Sequence, residues 1–362
     1  MPLARRAEIT LIYDGVDISR DIAPFLTSMT YTDNSHGKSD DLQVALMDKE
    51  GLWRDPWFPD KGATLTAEIR TLNWFKDGET RRLPCGTFQI DEITSKGPPT
   101  TADIKAVSVP VRSSARQEER TQGWEDIKLS KVAAEIAARQ GLEFFWDSQE
   151  DPLWDRRDQA ENADLSFLMG QCERVGLALK VTDTKLVVFN EEEYEQRGVV
   201  DTITFSQVAS KRVASYSFRT KCAGIFKGSR LQYHDSVQDS TFDVYVPAEN
   251  QNHNGQTLNV NERVKSLGEA EQIAKKRLYQ ANKHEVTGSI TMIGNMAMIG
   301  GSMIGISGFG KFDGKYFIEK AVHKYTKGGG YTTQIDIRKG GTGGSGAVQE
   351  NFPVYGGDDG DE

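Results

Sequence analysis

Residues 288–338 constrain the fold of this chain more than any other stretch. They read GSITMIGNMAMIGGSMIGISGFGKFDGKYFIEKAVHKYTKGGGYTTQIDIR. Gly300, Gly301, Gly305, Gly308, Gly310 and Gly314 cut the segment into apolar pieces too short for helices. Two alternating runs then meet across the turn Lys327-Gly328-Gly329-Gly330. Period-two alternation bounded by glycine turns predicts antiparallel strands with one buried face. Gly308-Phe309-Gly310 lacks the following Lys and Ser/Thr of a phosphate-cradling loop, so it reads as a turn.

The rest of the chain extends this β pattern and interrupts it once. Glu8-Ile-Thr-Leu-Ile-Tyr13, the Ser28–Thr32 and Leu42–Leu46 runs, 64–69, 86–93 and 103–109 alternate between turn signals. Strands this short and close predict a barrel or sandwich over residues 1–118. Residues 119–200 change character. A helix is expected from Ser130 as cap to a Gly141 stop, and another over 164–175 with Leu165, Leu168, Met169, Cys172 and Val175 on one face. Two short strands at 177–181 and 185–189 complete a small α/β insert. Residues 201–340 return to strands, with one helix opened by the capping box Ser266-Leu-Gly-Glu269. Residues 341–362 are a Gly-rich linker and acidic tail, with too little apolar surface to offset ordering entropy.

Composition removes several function classes. The 44 Lys plus Arg against 53 Asp plus Glu give a net charge of −9, the wrong sign for a nucleic-acid binder. No run approaches the roughly 20 apolar residues that span a bilayer, and no apolar leader is visible. Cys85, Cys172 and Cys222 fit neither a zinc pattern nor a disulfide framework. No metalloprotease, nucleophile-elbow, P-loop or paired-Cys motif occurs, so no catalytic, metal or cofactor residue is assigned. Asp40-Asp41 and Glu191-Glu192-Glu193 read as exposed, solvated runs. Of the five histidines, His36, His234 and His253 fall in loop-like sequence, and His284 ends a helix. His323 lies mid-strand on the face of Phe317, Ala321 and Tyr325, where a packed structural residue is expected.

Three patches together resemble the late control protein D family of phage tail hubs. The first is Tyr13-Asp-Gly-Val-Asp-Ile-Ser19, then Asp40-Asp-Leu-Gln-Val-Ala-Leu-Met-Asp48, then Trp53 and Trp57 before Pro59-Asp-Lys-Gly62. The second is Gln159-Ala-Glu-Asn-Ala-Asp-Leu-Ser-Phe-Leu168 through Gly176, with Ala163 where Ser is usual. The third is 288–338 itself, in the order G-F-G, D-G-K-Y, histidine strand, Gly-Gly turn and Tyr-Thr-Thr.

The resemblance implies a mainly β protein: two tail-tube-like β-barrels flanking a small α/β domain, assembling as a trimeric ring. It implies a non-enzymatic adaptor at the baseplate, assembled in the bacterial cytoplasm, that joins a sixfold tail tube to a threefold central spike. Implied partners are two further copies (a homotrimer), the central spike protein, the tail tube or tube-initiator protein, the tape-measure C-terminus and baseplate wedge proteins. DNA would pass only in transit, and no membrane or cofactor is involved. The alternatives are a VgrG-like spike subunit and a tail-associated peptidoglycan hydrolase. Candidate contact residues are Trp53 and Trp57, which are otherwise core; Met296, Met298 and Met303, otherwise an adaptable core strand pair; and Phe352 and Tyr355 in the tail.

Overall fold

The computed structural model describes residues 3–108, 118–235, 240–248, 255–264 and 266–340. Its first part holds β1 (Arg6–Tyr13), β2 (Val16–Asp17), α1 (Ser19–Ile22), β3 (Leu26–Asn34), β4 (Asp41–Met47), β5 (Thr64–Leu72), β6 (Thr80–Lys96) and β7 (Thr101–Val107). The middle holds β8 (Glu119–Lys128), α2 (Leu129–Arg139), β9 (Glu143–Asp147), β10 (Leu153–Ala163), α3 (Asp164–Arg174), β11 (Ala178–Val181), β12 (Lys185–Phe189) and α4 (Glu191–Glu195). Then come β13 (Val199–Thr204), α5 (Ser206–Ala209), β14 (Val213–Thr220), β15 (Gly228–Asp235), β16 (Ser240–Pro247), β17 (Thr257–Val260) and α6 (Leu267–Asn282). β18 (Val286–Ile293), β19 (Met303–Ser307), β20 (Gly314–Thr326) and β21 (Gly330–Lys339) close the described chain.

The fold is mainly β, but the two expected barrels are not closed. A single 13-stranded sheet runs β14-β18-β21-β20-β3-β4-β7-β6-β5-β1-β2, with β19 bridging β20 to β13. Closing the first half would need β3 to pair with β1. Instead β3 spends its outer edge on β20, Ser28 opposite Thr326 through Asn34 opposite Lys320. The two halves are therefore one sheet with a core on each side of that seam. Met29, Leu42, Ile69, Phe88 and Ile90 centre the first, and Ile290, Ile304, Ile318 and Ile335 the second.

The halves repeat one pairing scheme. β1-β5-β6-β7-β4-β3 in the first corresponds to β13-β19-β20-β21-β18-β14 in the second. Irregularities recur at matching places. The β6–β7 register shifts between Ile90 and Glu92, and the β20–β21 register between Ile318 and Lys320. The β3–β4 register shifts between Leu26 and Ser28, and the β14–β18 register between Val213 and Ser215. Ile90 exchanges backbone hydrogen bonds with Gly62 and Ala63, as Ile318 does with Gly301 and Ser302. The halves differ where β1 runs antiparallel to β5 but β13 runs parallel to β19. Bulges set register, so their coincidence marks two copies of one unit.

Two smaller units pack on this sheet. In the middle one, α2 and α3 bury Val132, Ile136, Phe167 and Leu168 against β9, β11 and β12, while the β8–β10 ribbon contributes Trp124 and Trp154. Gly141 and Gly176 end the two helices at φ +69° and +74°, as their position predicts. Ser130 is not the cap. It sits inside the helix, and Asp151 accepts hydrogen bonds from its backbone N at 3.0 Å and its Oγ at 2.7 Å. The second unit departs from the single β region expected over residues 201–340. Its strands instead form a separate three-stranded sheet, β16-β15-β17, packed on α6 through Leu231, Val264, Ala270 and Ala274. The Ser266 cap holds, with Oγ accepting from Glu269 N at 3.2 Å.

Candidate interaction surfaces

Two buried charge clusters tie the middle unit to the sheet. Lys180 on β11 reaches Asp33 at the end of β3, with Nζ 2.5 Å from Oδ1, and lies 3.5 Å from Asp40. Asp33 also accepts from the backbone N of Gly300 at 2.8 Å. A Cβ on Gly300 would stand 2.8 Å from the Ser35 nitrogen, so only glycine allows the second half this close to β3. Burial pushes Asp40 up to about 7, with Lys180 opposing and Asp33 reinforcing the shift. Burial also disfavours the Lys180 ammonium, but the two carboxylates more than offset it and raise its pKa above the ordinary value.

The second cluster surrounds Arg338, which is 0 % exposed. Its guanidinium meets Glu191 at 3.0 Å, Glu319 at 3.3 Å, the Tyr279 hydroxyl at 3.0 Å, and Glu195. Glu191 further meets Lys283 at 3.0 Å and His36 Nε2 at 2.7 Å. Burial alone would raise the Glu191 pKa, yet His36, Arg338 and Lys283 hold it well below the usual glutamate range. The expectation of exposed acidic runs is thus corrected: Asp40 and Glu191 are buried, and Asp41, Glu192 and Glu193 are half-buried. Glu191 is 1 % and Asp40 5 % exposed, because each faces cations on another element.

On the first half, Phe25, Trp53 and Trp57 pack edge to face, with ring centroids 5.5–6.1 Å apart. Trp53 and Trp57 wall a cleft of about 450 Å³ shared with Tyr13, Ile18 and Phe58. Trp53 is buried, whereas Trp57 is 43 % and Phe58 51 % exposed. A second aromatic cluster lies at the opposite end of the sheet. Phe205, Tyr216, Phe218 and Phe309 meet with centroids 5.0–6.3 Å apart, and Phe205 and Tyr216 stay half exposed. This cluster flanks β14, the last strand of the sheet. The sequence reading missed it, although Tyr216-Ser-Phe218 beside Gly308-Phe309-Gly310 carried the signal.

The methionine expectation is corrected. Met298 and Met303 are 0 % and 2 % exposed, held in the second half's core and beside Phe317. Met296 packs, half buried, against the first half's core. Phe352 and Tyr355 lie outside the described residues, as does His253. His323 is fully buried. Its Nε2 donates to the Met298 carbonyl at 2.9 Å, and Nδ1 accepts from the Tyr331 hydroxyl at 2.6 Å. Burial lowers its pKa to about 4. Among the described residues, no group of three or more His, Cys, Asp or Glu side chains could hold a metal ion.

No protein-family model matches the chain. By fold, it is similar to phage tail proteins. The 43 kDa tail protein of prophage MuSo2 from Shewanella oneidensis superposes with a TM-score of 0.70 at 12% identity, covering 92% of this chain and 98% of that one. The tail protein from Neisseria meningitidis MC58 gives 0.67 at 13% identity, covering 92% and 96%. In sequence, it is 32% identical over 179 residues to the probable baseplate hub protein of Escherichia phage P2. That match takes in 49% of this chain and 43% of the phage protein, so the chain spans less than half the length of this curated relative. The resemblance to phage hub proteins read from the three patches is thereby shown.

Proposed function

We propose that this chain is the structural tail hub of a phage or phage-derived contractile injection device. Three copies form a ring that receives the sixfold tail tube on one face and the threefold central spike on the other. The observation that carries this reading is the repeated half-sheet. One chain holds two copies of a single β unit joined edge to edge, so three chains supply six near-equivalent units from a threefold assembly. The resemblance to a phage hub and to tail proteins points the same way. The role is scaffolding rather than catalysis, at the virion baseplate, with wedge proteins and the tape-measure C-terminus as further neighbours. Trp57 at the open cleft is the contact residue this reading keeps, since large exposed aromatics dominate interface energies. Light scattering with size exclusion on the purified chain tests it. A stable species of three chains is expected, and a monomer at micromolar concentration refutes the ring.

A further inference from the structure

The repeat shows what the seam within the chain looks like and where its counterpart is open. Superposing the two pairing schemes places Glu92 with Lys320, Lys96 with Lys324, Ser215 with Ser28, and Phe218 with Tyr31. Within the chain, β3 fills the side of β20 from Lys320 to Thr326. Among the described residues, Glu92 to Lys96 of β6 pair only with β7, which leaves the matching side open, and β14 pairs only with β18. Among the described residues, one seam is filled and its equivalent is open on both sides.

Burial differs accordingly. Met29 and Tyr31 in the filled seam are 0 % and 7 % exposed, and Ala321 opposite is 0 %. Their equivalents fare differently: Tyr216 is 42 % exposed, and Phe218 and Ile93 are only half buried. A strand edge carrying unpaired backbone groups beside exposed aromatics is a template for strand addition.

We propose that β14 of one copy adds, antiparallel, to the open side of β6 in a second copy of this chain. The register follows from the internal seam: Glu92 opposite Lys221, Thr94 opposite Arg219, Ser95 opposite Phe218 and Lys96 opposite Ser217. Charge supports this register, because it sets the Glu92 carboxylate against the Lys221 ammonium and brings Lys96 to a serine rather than to a cation. Pro98 and Pro99 have no N–H, which ends the pairing at Lys96. The contact joins different patches on the two copies, so it is head-to-tail, and with the threefold closure proposed above it generates a ring rather than a two-chain pair. The inference rests on the trimer proposed above and names the surface that builds it.

Two sets of variants test it. In a Cys222→Ser background, Thr94→Cys with Arg219→Cys, and separately Ser95→Cys with Phe218→Cys, are oxidised and run without reductant. Covalent two- and three-chain species are expected from at least one pair, and none from any single cysteine. Independently, Glu92→Lys or Lys221→Glu should weaken association by at least about tenfold. The double swap should restore it, with circular dichroism unchanged throughout. A wild-type trimer that neither cross-links nor responds to the swaps overturns the edge pairing and leaves the hub reading standing. A monomeric wild type overturns both.

Discussion

His323 sits neutral among Met298, Tyr331 and Thr333, so lowering the pH from 7 to 4.5 sets the folded and unfolded states apart. The unfolded imidazole takes up a proton near 6.5, while the buried one resists until about 4. Over this window the unfolded state binds more protons. Stability is therefore complete above pH 6.5 and falls as the pH drops toward 4. Integrated from pH 7 to 4.5, the loss from this one group is about 2 kcal/mol. His323→Gln keeps a donor for the Met298 carbonyl and has nothing to titrate. Urea unfolding of both proteins at pH 7 and 4.5 isolates the term, because all other groups titrate in both. The wild type should lose about 2 kcal/mol more than the variant. Equal losses, within about 0.5 kcal/mol, would refute the assignment of a buried, neutral, proton-excluding imidazole.

Asp33→Ala leaves Lys180 buried beside only the more distant Asp40 and strips the Gly300 amide of its acceptor, so urea unfolding should show a loss of about 3 kcal/mol. Lys180→Met removes the cation instead, and in an Asp33→Asn background it should recover most of that loss. Gly300→Ala forces a Cβ against the Ser35 backbone, and a thermal melt should register about 1–3 kcal/mol of destabilisation from prying the halves apart. Ser266→Ala removes the cap of α6 and should lower stability by about 1 kcal/mol, read by urea titration.

Strand positions and helix stops were legible because each rests on local chemistry: alternation for the strands, Gly141 and Gly176 for the stops, Ser266-x-x-Glu269 for the cap. Burial of His323 was legible for the same reason, since its strand face was apolar. What local patterns could not show was pairing between distant strands. Nothing in Ser28–Asn34 announces β20 as its neighbour, so two barrels were expected where one sheet exists. Nor does the Glu191 run reveal that Arg338, Lys283 and His36 converge on its first carboxylate from three other places in the chain. The methionines misled because their flexible side chains suit a contact surface as well as a core, and only the packing of Met298 and Met303 decides.

The seam between β3 and β20 also has a consequence in time. It joins residues some three hundred positions apart, so β3 waits for that much further synthesis before its partner strand exists. At roughly 5–20 residues per second, that interval is on the order of 15–60 s. Throughout it, the edge from Ser28 to Asn34 stays open on the ribosome, a strand ready to pair with whatever comes first. Nascent chains on neighbouring ribosomes carry the same open edge, and late β20 segments from one could fill the seam of another. The emergence of β20 thus decides whether the two halves close within one molecule or between two.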